Sequence, residues 1–461
     1  MRIVRGILIL VLIVLHSVPS YGGEVSPGLS EKLQATGASS MVSVIVRMSV
    51  QANLKNTTEG MAGRNKPVRL KKVIQSLKKT ALERQGSIIE IIKKEQISGQ
   101  VERFTPFWIF NGLFLKATPE VVKMLALRED VDLITEDFSI PAPSFVKSSP
   151  LQVGAPYVWN IEKIRAQEVW DLGYDGSGVV VGILDTGVDV THPDLADRFR
   201  GGDTSWLDFH GEHTVPVDAA GWATGHGTHV AGTILGGDRS GSPIGVAPGA
   251  QWIAARMWND AGDSVLSSEV HEIFEWFMDP DGDPETYDAP DVVNCSWSFD
   301  TFPWCLPELQ DGVRAWREAG IIPVFAAGNA GPLFFSGQSP GNYPETISVG
   351  ATNDFDWVAP FSSRGPGNCD LRTFPDLVAP GVNIFSATPD DNYQYFSGTS
   401  QAVPHVVGTI ALMLSANPDL TVEEVELTLQ QTAQPVGLFR PSVSSGWGQV
   451  DALGAVRAII P

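Results

Sequence analysis

From Trp159 onward, short apolar runs alternate with segments of helical period, and this alternation narrows what the chain can fold into more than any other feature. Strand-like runs at 179–184, 251–257, 292–294, 321–326 and 346–350 are interleaved with helical patterns at 226–236, 267–277, 307–318 and from Ser400 on. Strands separated by covering helices run parallel, since each crossover returns the chain to the same edge. The expected fold class is α/β, an open parallel sheet flanked by helices. The 461 residues leave room for two or three domains, and an apolar fraction of 43% is ordinary for a packed globular protein.

Residues ahead of this region follow other rules. Residues 1–23 read as an export signal: Arg2 and Arg5, an apolar run over 6–15, then small residues over 17–23. The run is too short for a membrane span, and no later apolar stretch reaches about 18 residues, so the mature protein is expected off the membrane and exported. Next come a strand over 41–50 and a basic amphipathic helix over 69–95, with Val73, Leu77, Leu82, Ile88, Ile91 and Ile92 as its buried face. A strand over 107–117, a helix over 118–127 starting on Thr118 with Pro119 and Glu120 in its first turn, and a strand over 131–137 complete a small α+β unit. The Pro- and Ser-rich stretch 140–150 reads as a linker.

The net charge of −21 is divided unevenly, +7 over residues 1–150 and −28 over 151–461. The acidic part would be repelled by nucleic acid or anionic membranes. Opposite signs suit two halves that face each other, while solubility alone also explains an acidic surface. Of three cysteines, Cys305 and Cys369 lie in loop-like sequence and Cys295 beside an apolar strand end; the expected bridge is 305–369, with Cys295 buried and free.

Three segments carry the chemistry: GILDTGVDVTHPDL at 182–195, GHGTHVAGTI at 225–234 and SGTSQAVPHVVG at 397–408. A serine hydroxyl is a weak nucleophile until a base takes its proton, and that base needs an acceptor to hold its tautomer. Ser400, His226 and Asp185 fill these roles, each at a strand end or helix start. Their order along the chain is that of subtilisin. The chain resembles the subtilisin-like serine proteases (peptidase S8), within them the bacillopeptidase F-like subgroup.

That resemblance implies a secreted endopeptidase, with signal peptide 1–23, inhibitory propeptide 24–145 and catalytic domain 146–461. FNGLFLKATPEVVKMLALREDVDLITED is similar to the end of such a propeptide, whereas the basic stretch 55–72 departs from the compact pattern. It implies Asn329, in VFAAGNAGP, as the oxyanion donor. It also implies two substrate-binding edges, Asp263, Ser264 and Val265 on one side and Ser296, Trp297 and Ser298 on the other, with peptides adding as a strand. Ser298 stands where the family usually has glycine. Pocket walls would come from Ala326, Ala327 and Gly328, with Gln338 as a polar, uncharged base. Polypeptide substrates, the chain's own propeptide as inhibitor, a monomer, and no cofactor for the chemistry are the expectations.

Other readings compete. Asp185-Thr186-Gly187 is also the aspartic protease signature, but only one copy is present where a dyad needs two. His210 and His213, with His226 and His229, have zinc-like spacing without HExxH. Asp279, Asp281 and Asp283 have the spacing of a calcium loop, yet its twelfth position is Pro290. An exported inactive homologue serving as a binding or scaffold protein is the non-enzyme alternative.

Overall fold

The computed structural model describes residues 22–61, 65–148, 158–299 and 305–460. Nearly all of the expected export signal, residues 62–64 of the basic stretch and 149–150 of the expected linker lie outside them.

The larger part is built on a seven-stranded parallel sheet, in the order Leu377–Pro380, Ile347–Thr352, Ile322–Ala326, Val292–Cys295, Val180–Asp185, Gln251–Arg256 and Trp206–Asp208. Such strands are covered on both faces, which is why they read as continuous apolar runs. One face packs on helices His226–Leu235 and Thr399–Ala416 through Ile183, Val230, Val324, Val403 and Ile410. The opposite face meets helices Ser267–Met278 and Gln310–Ala319 through Phe274, Phe277, Trp316 and Phe325. Strand order reverses between Val180–Asp185 and Val292–Cys295. At such a switch point the carboxyl ends diverge and leave a crevice.

Residues 24–136 form a five-stranded sheet in the order Glu24–Val25, Val131–Glu136, Val42–Met48, Gly112–Ala117 and Val101–Phe107. Alternation along its strands divides its side chains between two cores. Val44, Val46, Leu113 and Leu115 pack on its own helices, whereas Ile45 and Phe114 join Phe274 and Trp316 of the larger part in one shared cluster. Charge follows the same seam. Lys66 pairs with Asp291 at 2.8 Å, Lys71 with Glu285 at 2.6 Å, Arg47 with Asp311 at 2.6 Å, Arg69 with Glu318 at 3.8 Å, and Lys78 with Asp279. The described residues of the basic stretch 55–72 therefore have a place: helix Lys66–Arg84 lies on the acidic flank of the larger part.

Three expectations need correction. The single helix over 69–95 is two, Lys66–Arg84 and Gly86–Ile97. Gln85 turns its amide inward to donate to the carbonyls of Phe107 at 2.7 Å and Gly112 at 3.1 Å, a tertiary demand that periodicity does not register. Val73, Leu77, Ile88 and Ile92 are buried as expected, Ile91 is half-buried, and Leu82 is 83% exposed. The strand over 107–117 is a hairpin of Val101–Phe107 and Gly112–Ala117; the turn's Trp108 and Ile109 N–H groups donate to Glu275 at 2.5 and 2.9 Å. The expected linker is strand-paired at both ends of its described length. Ser139–Ile140 adds antiparallel to Val265–Leu266, and Val146–Ser148 to Asn392–Ser397.

Cys305 and Cys369 are disulfide-bonded and Cys295 is a buried free thiol. No helix among the described residues is long and apolar enough to cross a membrane. The helix phase gives a direct check. Leu77→Ala should lower stability in chemical denaturation by about 2–4 kcal/mol. Leu82→Ala should change it by less than about 0.5 kcal/mol.

Candidate active site

Asp185 ends the central strand, Ser296 follows its neighbour, and two helices present their N-termini to the same crevice, so four distant sequence segments converge. His226 opens helix His226–Leu235 directly after Gly225, whose φ of +96° is a conformation that favours glycine. Ser400 sits in the first turn of helix Thr399–Ala416, which is buried over nearly its whole length and correspondingly apolar all round.

The Asp185 carboxylate meets His226 Nδ1 at 2.7 Å, and neither side chain is exposed. The Thr186 N–H donates to the same Asp185 oxygen at 2.8 Å. His226 Nε2 is buried and makes no hydrogen bond among the described residues. Ser400 Oγ donates to the Ser296 carbonyl at 2.8 Å, so the hydroxyl is turned aside from the imidazole. Ser296 Oγ answers by donating to the Ser400 carbonyl at 2.9 Å.

Asn329 follows strand Ile322–Ala326 by a short turn. Its Oδ1 accepts from the Thr399 N–H at 2.9 Å and the Thr399 hydroxyl at 3.0 Å, which leaves its NH₂ as the donor toward the crevice. Gln338 Oε1 accepts from the Asn329 N–H and from Ser298 Oγ, both at 3.1 Å. A side chain on Gly328, at φ +102°, would collide with Gln338. Ser298 is thus tied to the pocket base, and both are fixed to the Asn329 loop.

A cavity of about 410 Å³ opens beside Ser400, walled by Ser296, Trp297, Ser298, Ala326, Asn329 and Gln338. Pro141, Ala142, Pro143 and Ser144 lie along its mouth. Of the expected first edge, Val265 pairs with Ile140, while Asp263 is engaged with Asn259 and does not line the cavity, nor does Ser264. Ala327 and Gly328 stand behind the wall, Ala327 bonded to Val349.

Several contributors escaped sequence reasoning. Asp218 is buried and accepts from the Thr186 hydroxyl, the Gly225 N–H, and the N–H and hydroxyl of Thr228 at 2.6–2.9 Å. It clamps the start of the His226 helix to the Asp185 strand, with burial raising its pKa and the helix N-terminus favouring its charge. No fixed spacing announces it. Trp222 lines the cavity mouth, and Phe396 stacks at 4.3 Å on His229. His229 is neutral, its pKa lowered to about 3 by burial, and bonds the Ile384 carbonyl behind the site.

The expected metal ligands do not assemble as spaced. His210 bonds the Met257 carbonyl and His213 pairs with Asp260, apart from His226 and His229. Asp281 and Asp283 are taken up in their own turn, and Asp279 by Lys78. Among the described residues only Asp208, Glu212 and His213 cluster as metal ligands could, and Arg256 already pairs with both carboxylates.

A family model described as the subtilase family (Peptidase_S8) matches residues 176–448. Bacillopeptidase F of Bacillus subtilis (strain 168) is 35% identical over 420 residues, covering 84% of this chain but 28% of that longer protein. Subtilisin E of the same organism is 33% identical over 398 residues, covering 85% of this chain and 89% of its own length. M-protease of Shouchella clausii (strain KSM-K16) is 32% identical over 366 residues, covering 79% and 84%.

Asp218→Ala should strand four buried or half-buried donors and cost about 3–5 kcal/mol in denaturant unfolding. Asp218→Asn, which keeps an acceptor oxygen, should cost less.

Proposed function

Because this chain belongs to the subtilase family, we propose that it is an exported serine endopeptidase made as a self-processing precursor. The observation that carries the reading is the buried Asp185–His226 pair beside Ser400, with residues 139–148 laid through the adjoining cleft.

Ser400 Oγ swings from the Ser296 carbonyl to His226 Nε2, attacks the carbonyl carbon of the scissile peptide and gives its proton to Nε2. Asp185 holds Nδ1–H and stabilises the imidazolium. The oxyanion is received by the Asn329 NH₂ and the Ser400 N–H, at a helix start whose dipole favours negative charge. Collapse passes the proton from Nε2 to the departing amine and leaves an acyl ester on Ser400. Water then attacks, His226 takes its proton, and the second collapse returns a proton to Ser400 and frees the acid.

The residues from 24 to the cut beside Phe145 act as the inhibitory propeptide. They occupy the cleft as an added strand and hold the flank through five ion pairs. Two half-buried carboxylates lie under that seam. Burial raises the pKa of Glu275 to about 8 and that of Glu308 to about 7, from the ordinary 4.5. Once the propeptide leaves and water reaches them, both return toward 4.5. The bound state therefore holds more protons, and association weakens as pH rises from about 4.5 to 8. Structural calcium, common in the family, is compatible with this reading and enters no step.

Mass spectrometry of wild type and Ser400→Ala, each with and without a fluorophosphonate, tests the reading. Wild type should shorten to a species beginning at Phe145 and carry the adduct on Ser400. The variant should stay full length, its turnover lower by about 10⁶-fold, the scale measured in subtilisin itself. A folded wild type that neither shortens nor reacts would favour the inactive homologue.

Asn329→Ala should lower kcat by about 10²–10³, as loss of the equivalent donor does in subtilisin, with KM changed little. The lag before peptidase activity appears should shorten from pH 5 to pH 8 and with added salt. Glu275→Gln, neutral throughout and still an acceptor for Trp108 and Ile109, should flatten the pH dependence.

A further inference from the structure

Beyond the cavity, the chain continues along the other side of Ser400, where the next residues are held by ring contacts and strand pairing. Phe145, half-buried, lies with its ring centroid 5.3 Å from the His226 ring and stacks at 4.2 Å on Phe396. Phe396 is itself buried and backed by His229 at 4.3 Å and 11°. The ammonium of Lys147 stands 5.7 Å from the Phe145 ring and 5.9 Å from that of Phe396. The backbone pairs Val146 with Ser397 and Lys147 with Phe396, antiparallel to the strand that leads into Ser400.

The geometry points to a selective subsite on the leaving-group side of the scissile bond. We propose that Phe396, backed by His229 and bordered by His226, forms a slot that selects substrates with an aromatic residue just after the cut, in the position Phe145 occupies. The inference rests on the endopeptidase reading and deepens it by assigning a substrate class: extended polypeptides with an aromatic residue beyond the cleavage point, preferentially followed two residues later by a base.

Three features make this slot selective. Its floor is one flat ring held by a second in parallel, which an aromatic side chain covers fully and an aliphatic one only partly. Backbone pairing with 392–397 fixes the depth at which that side chain arrives, as in recognition by strand addition, where pairing supplies affinity and alternate pockets supply choice. The basic residue then closes the stack from the solvent side. By contrast, the residue at the cavity mouth, Ser144, is small and exposed, so the precursor's own sequence places its bulk beyond the cavity.

The test uses the matured enzyme and fluorogenic peptides spanning 138–148, with position 145 as Phe, Tyr, Leu, Ala or Asp. Wild type should cleave the Phe and Tyr peptides with kcat/KM about tenfold above the Ala peptide, a difference of about 1.4 kcal/mol. In Phe396→Ala the Phe-to-Ala ratio should fall toward 1 whatever happens to the absolute rates, and Phe396→Tyr should preserve it. Wild type that cleaves all five peptides equally, or Phe396→Ala that keeps the full ratio, would overturn the slot while leaving the endopeptidase intact. Failure of matured wild type to cleave any of them would overturn both.

Discussion

A carboxylate and an imidazole, both fully buried and 2.7 Å apart, set the terms for everything around them. In a dry interior a carboxylate needs donors, and Asp185 finds them in His226 Nδ1–H and the Thr186 N–H. Satisfying that pair requires Asp185 at the end of a central strand and His226 at the start of the helix that covers it. The parallel sheet with its switch point delivers both. Asp218 then fixes the helix start, and the buried Thr399–Ala416 helix brings Ser400 to the same crevice as the imidazole.

The smaller domain uses the same physics with opposite signs. Its inner sheet face merges with the core of the larger part, so the seam is apolar at the centre and ionic at the rim. One helix N-terminus of the larger part is answered by a carboxylate: Asp137 accepts from the Ser268 N–H and hydroxyl at 2.9 Å, at the head of helix Ser267–Met278. Glu275, in turn, receives the Trp108 and Ile109 N–H groups of the hairpin turn. Each domain therefore satisfies polar groups that the other leaves open, and separating them exposes apolar and ionisable surface together.

Much of this was legible in one dimension. Apolar runs marked the strands because strands covered on both faces have no polar side. Asp185, His226 and Ser400 stood out because each lies in a glycine-rich turn beside an apolar element, and a resemblance on those turns carried Asn329 with them. Less legible were groups whose role depends on a partner far away in the chain. Asp218 and Phe396 have unremarkable neighbours, and their meaning comes from Thr228 and His229 respectively. Residues 140–150 read as a linker because three prolines and several small residues resemble one, although strand addition depends on backbone atoms that carry no sequence signature.

The sequence by itself determined the parallel α/β architecture, the charge opposition between the two parts and the identities of the reactive groups, since these depend on periodicity, composition and local turns. Only the tertiary structure decided where helix 66–84 ends, which leucines face inward, that Ser400 is bonded to the Ser296 carbonyl, and that Phe145 lies against Phe396. Those outcomes depend on which buried donors and acceptors meet. Such meetings are set by packing between segments from about twenty to some 250 residues apart.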